Sequence, residues 1–200
     1  MQAESAILRQ LQKSFKIVKH QYEKYNKDIE ETRQYVESIV NLSEQLIAIK
    51  DVEMDSTPLE KFPDVKDKLS GKLMMSIEHL IEKLALSLHN QEMCVRHITQ
   101  CQTSTSELCR QRYSAQLDIQ AAMEGQPLRP SITDMLLWLQ SIEVAVRLNY
   151  GERELAMNTV AYTSEDKMHI LQDKWSIDKQ LDNSMLEIMA RLMYFLPEKL

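Results

Sequence analysis

The chain has 200 residues, of which 44% are hydrophobic and 27% charged, with only 3 Gly, 5 Pro and 6% aromatics. That composition excludes a disordered polymer and a fold of many short strands, and it favours a few long helices. The formal net charge of -6 gives no general drive toward phosphate backbones, so direct nucleic-acid binding is not expected, a local patch aside.

The first predicted element is a helix over residues 4–50. No Pro or Gly occurs from Met1 to Thr57. Steps of three and four connect Leu8, Leu11, Phe15, Val18, Tyr22, Tyr25, Ile29, Thr32, Val36, Ile39, Ser43 and Leu46, and ten of these twelve are apolar. This is a heptad stripe on a helix roughly 65 Å long, which needs an antiparallel neighbour or another chain to cover it. "TPLE" then reads as a start signal, with Thr57 as N-cap, Pro58 at the first helical position and Glu60 in the capping-box place. A short helical turn over 58–62 follows, and Pro63 opens a second long helix, 63–124.

That helix carries a stripe from Val65 through Leu73, Ile77 and Leu84 to Ile98, with Gly71 as a place for a bend. Its weakest part is Thr99–Glu107, rich in Ser and Thr, where the spacing leaves open a break near 99–106 or an exposed continuation. Gly125, Pro127 and Pro130 make a turn. Ser131, with Asp134 three residues on, caps a third helix over 131–162. "TSED" at Thr163–Asp166 starts a last helix over 164–196, with Leu181, Met185, Ile188, Leu192 and Phe195 as its stripe and Pro197 as its stop. The expectation is all-α: one helical domain, 1–200, an elongated antiparallel bundle of about four long helices packed like a coiled coil.

Signatures of chemistry are sparse. None of His20, His79, His89, His97 and His169 has a Glu three residues before it, as a di-iron bundle requires; Asp166 to His169 is the nearest approach. No glycine-rich phosphate loop and no nucleophile elbow occur. Cys94, His97, Cys101 and Cys109 share one face of a helix, but zinc sites usually draw ligands from two segments, and buried Cys packs as a small hydrophobe. The reading is therefore no catalytic residue, no metal and no cofactor. The 12 methionines sit mostly on packing stripes, and the charge-rich segments, "KHQYEKYNKDIEETR" among them, read as solvated helix faces. Three cysteines make no disulfide framework, no apolar run is long enough to span a bilayer, and "MQAESAILRQLQKSF" has no apolar signal core, so nucleus and cytoplasm are the expected compartments.

Three blocks carry a family resemblance: "NLSEQL" at Asn41–Leu46, "FPDVKDKL" at Phe62–Leu69 and "PSITDMLLWLQSIE" at Pro130–Glu143. Phe15, Ile81–Leu88, Tyr150, Lys174-Trp175 and Phe195-Leu196 support them in the same order. Together they resemble the AIRIM family, the AAA-ATPase-interacting ribosome maturation factors. The resemblance implies a non-enzymatic adaptor that works with spermatogenesis-associated AAA+ ATPases and with CINP, the cyclin-dependent-kinase-interacting protein. It implies late maturation of the large ribosomal subunit, in which a shuttling factor is released, and protein turnover at replication forks. Contact with the pre-ribosomal large subunit and with chromatin is then indirect, and no membrane or small-molecule substrate is involved. The competing reading is a generic homodimeric coiled-coil scaffold unrelated to the ATPases.

The densest apolar run, Met135 to Leu139, divides on a helical wheel. Ile132, Met135, Leu136, Leu139, Ile142, Val146 and Tyr150 form a core-facing stripe about 120° wide. Leu137, Val144 and Leu148 form a narrower stripe opposite, with Trp138 between the two. The family carries charged residues where this chain has Leu137, Val144 and Leu148, whereas Trp138 belongs to the shared block. These four are the candidate partner-binding residues, Trp138 first among them, with local packing as the alternative for Leu137.

Overall fold

The computed structural model describes residues 2–53, 58–62, 64–113 and 130–196. Five α-helices and one 3-10 turn make up the described elements, and no strand occurs among them. In order they are α1 (Gln2–Asp51), the 3-10 turn (Pro58–Lys61), α2 (Val65–Tyr113), α3 (Ile132–Asn158), α4 (Glu165–Lys174) and α5 (Lys179–Arg191). Several signals assigned in the sequence lie outside the described residues: the Thr57 cap, the Pro63 opening, the end of the second helix over 114–124, the Gly125–Pro127 turn and the Pro197 stop. No described helix is long and apolar enough to cross a membrane.

The chain divides into two compact units. The first combines Met1–Asn26, Gln91–Tyr150 and Ile177–Leu200; the second combines Lys27–Asn90 and Gly151–Ser176. Each is a helical packing built around one part of α1. Eleven of the twelve heptad positions of α1 are buried; the other, Leu8, is half-buried beside a fully buried Ile7. The chain covers this stripe itself, so the stripe no longer calls for a second chain.

In the first unit α1 and α5 run antiparallel: Gln12 Nε2 donates to the Phe195 carbonyl (2.8 Å), and Asn26 Nδ2 donates to Asp182 Oδ1 (3.3 Å). Ser14 and Thr105, both fully buried, satisfy each other through a hydroxyl–hydroxyl bond of 2.8 Å. This pairing explains the Thr99–Glu107 stretch. α2 runs through it unbroken because Cys101, Thr105 and Cys109 fill its core positions, small residues that a search for Leu and Ile passes over.

In the second unit the polar heptad residues of α1 act as anchors. Thr32 Oγ1 donates to the Asp28 carbonyl (2.7 Å) and accepts from Trp175 Nε1 (3.0 Å), while Ser43 Oγ donates to the Tyr162 carbonyl (2.6 Å). Trp175 is among the largest fully buried side chains. α1 and α2 are antiparallel here: Thr32 meets Ser87, Tyr35 lies under Lys83, and Lys66 Nζ donates to the Lys50 and Val52 carbonyls at the end of α1. That last contact satisfies orphan carbonyls with a cation, as a helix C-terminus favours.

Two boundaries differ from the sequence reading. The third helix closes at Asn158, where Thr159 turns its hydroxyl back onto the Leu155 carbonyl (2.8 Å). The single helix expected over 164–196 is two helices. α4 ends as Trp175 enters the core of the second unit, and α5 restarts at Asp178, whose carboxylate accepts from the Gln180 and Leu181 amides (2.9 and 3.2 Å). Buried Arg153 of α3 supports this corner by donating to the Ser176 carbonyl (2.7 Å). After Arg191 the chain leaves α5 through turns closed on the Leu192 carbonyl.

Candidate partner-binding face

α3 begins as its sequence dictates. Ser131 Oγ accepts from the Asp134 amide (3.0 Å) and donates to Asp134 Oδ2 (2.7 Å), a reciprocal cap. The helix then presents two apolar stripes with opposite fates in the first unit. Ile132, Met135, Leu139, Ile142 and Val146 are all buried, and Leu136 and Tyr150 are half-buried at the stripe's edges. Glu143 flanks them and is buried too. Its carboxylate accepts from Thr99 Oγ1 and from Arg147 Nε, each at 3.0 Å, so the charge enters the fold with two partners.

The outer stripe stays open. Leu137 is 55% exposed and Leu148 59%, with Val144 half-buried between them. At 100° per residue these three span about 40° of the helix circumference, a narrow seam of the width that one helix offers another. Trp138 is half-buried between the two stripes. The Arg191 guanidinium of α5 lies over its ring, 5.6 Å from the centroid. One ring face is therefore already engaged within the chain; Leu137, Val144 and Leu148 share a single face, and Trp138 lies between the two stripes.

Some exposed apolar groups of the first unit escaped the sequence reading. Leu186, Met193 and Tyr194 are exposed on and after α5, beside the packing stripe on which the reading concentrated. Leu186 joins Met185 and Met189 on one side of a groove of about 380 Å³, with Lys19, Tyr22 and Asn26 of α1 opposite. Burial first, and then the neighbouring carboxylates of Asp182 and Asp178, push the Tyr22 phenol up to about 12, so it stays neutral and can donate. The wheel that exposes the second stripe of α3, applied to α5, would have brought out Leu186.

Nothing in the cysteine cluster converges on a common point. Cys94, Cys101 and Cys109 are buried on the core side of α2, while His97 is exposed. Burial pushes the Cys109 thiol up to about 11, and burial also raises that of Cys101 despite the opposing pull of Lys13. These thiols behave as packing groups. Among the described residues no group of three or more His, Cys, Asp or Glu side chains is placed to hold a metal ion.

Comparisons with known proteins give the chain a family. A family model described as ribosome biogenesis protein C1orf109-like matches residues 5–193. A Homo sapiens protein named AFG2-interacting ribosome maturation factor is 27% identical over 203 residues, covering 96% of both chains. The Danio rerio protein of that name is 27% identical over 85% of this chain and 84% of its own. The Xenopus tropicalis protein is 29% identical over 88% and 85%. The AIRIM resemblance carried by the three sequence blocks is therefore a family relationship that spans the chain, and this protein belongs to the ribosome biogenesis protein C1orf109-like family.

Proposed function

We propose that this chain is a non-catalytic adaptor in an AAA+ ATPase complex that matures the large ribosomal subunit by releasing a shuttling factor. The observation that carries the reading is the near full-length similarity to relatives named for interaction with AFG2 and for ribosome maturation. Long helices and an uncovered apolar seam on α3 support it, because an adaptor needs a surface that its own core does not consume. The partners proposed are spermatogenesis-associated AAA+ ATPases and CINP, with Trp138 of the shared block as the first candidate contact and Leu137, Val144 and Leu148 as further ones. The same complex is proposed to serve protein turnover at replication forks, with the chain working in both nucleus and cytoplasm.

Affinity purification of the full chain from native lysate, read by mass spectrometry, tests this reading. Recovery of the ATPases together with CINP is the expected result. A clean purification that contains neither partner contradicts it.

A further inference from the structure

Charge is distributed unevenly along α1. Residues 9–24, in the first unit, hold Arg9, Lys13, Lys16, Lys19 and Lys24 against a single acid, Glu23. Residues 28–53, in the second unit, hold seven acids against Arg33 and Lys50. Within the basic half, Arg9, Lys13, Lys16, His20 and Lys24 fall inside about 80° of the helix circumference, opposite the buried stripe. All are exposed except Lys16, which is half-buried.

Two features mark this face. Several surface cations elsewhere are matched on their own helix, as in Lys27–Glu31, Arg33–Glu37 and Arg96–Glu92. Among the described residues no carboxylate pairs with Arg9, Lys13, Lys16, Lys19 or Lys24. Arg9 and Lys13 stand four apart, and Lys13 and Lys16 three apart, spacings at which like charges destabilise a helix. The face thus holds repulsion that an external anion would relieve. It also lacks apolar anchors: α1 contributes no large hydrophobic residue to the exposed surface. Protein hot spots are built on buried aromatic and aliphatic anchors, whereas phosphate-backbone contact needs only spaced cations and hydrogen-bond donors. Beside Lys13 a crevice of about 240 Å³ has His97 and Gln100 in its lining, and these add such donors.

We infer that the basic face of α1, residues 9–24, is a sequence-independent docking surface for the phosphate backbone of RNA. The overall charge of -6 conceals it because the rest of the chain is acidic. The choice of RNA rests on the family's place in ribosome biogenesis and not on the ATPase-adaptor reading; ATPase co-purification is a separate readout whose outcome leaves this inference untouched.

The test is fluorescence anisotropy of a labelled 20-bp duplex RNA with the full chain, from 50 to 200 mM KCl. Four or so neutralised phosphates predict a slope of log K against log salt of about -3 to -4. Substituting Arg9→Gln, Lys13→Gln, Lys16→Gln and Lys24→Gln together should weaken binding about tenfold or more at 50 mM salt. Helicity should be kept, and the melting temperature should not fall, since repulsion is removed. Lys13→Arg, Lys16→Arg and Lys24→Arg together should retain binding. A single Lys16→Gln, which leaves the fold unstressed, should lower the slope by about one. Undiminished binding by the four-Gln variant overturns the inference. So does a slope near zero, or tighter binding to polyglutamate than to RNA, which would mark an acidic protein partner instead.

Discussion

The two apolar stripes of α3 are made of the same residue types on one helix and differ only in what covers them. Met135, Leu139 and Val146 are wholly buried, whereas Leu137 and Leu148 keep more than half their surface in water. Burial of the first stripe is a folding force; exposure of the second serves nothing within the first unit. Hydrophobicity alone therefore does not assign a residue to the core. The face it occupies does, and the comparison separates what stabilises this protein from what its own core leaves in water.

The largest effect should come from the covered stripe. Leu139→Ala leaves a cavity at a site with no solvent access and should cost about 2–5 kcal/mol, measured as a shift in the urea midpoint with an unchanged denaturant slope. A loss below 1 kcal/mol would place Leu139 outside the core and erase the contrast with Leu137. Next comes the buried node of the second unit. Thr32→Val keeps shape but takes away the acceptor for Trp175 Nε1, and about 1–3 kcal/mol should be lost, with a shift in Trp175 fluorescence.

A smaller effect is expected from the thiols. Cys109 is raised in the folded chain from its ordinary 9.0 to about 11, so the unfolded chain ionises first. Its contribution is then fully present below pH 9 and is lost as pH rises from 9 through 11. The urea midpoint should fall over that window less steeply in Cys109→Ala than in the parent chain. Equal slopes would show that Cys109 is solvated in the fold.

These outcomes also bear on what the sequence conveyed. The α1 stripe was legible because apolar side chains fill most of a strict three–four spacing, and even Thr32 and Ser43 were placed correctly by period alone. The continuity of α2 was not legible, because Cys101, Thr105 and Cys109 occupy core positions without looking like core. The break after α4 was hidden for the opposite reason. Met168, Leu171 and Trp175 continue a helical period smoothly, and the restart rests on one cap, Asp178. On α3 both stripes could be read on a wheel, but the cover over Trp138 comes from Arg191, 53 residues away in sequence. The basic face of α1 was visible in composition and lost by averaging it with the acidic half.

The most direct test of the contrast between the two stripes of α3 is a paired measurement on Leu137→Asp with Leu148→Asp. Both residues are exposed, so the thermal midpoint should move by no more than about 0.5 kcal/mol equivalent per site. ATPase and CINP recovery in affinity purification should drop sharply. A melting temperature that collapses while recovery is unchanged would assign the outer stripe to the fold and contradict the account.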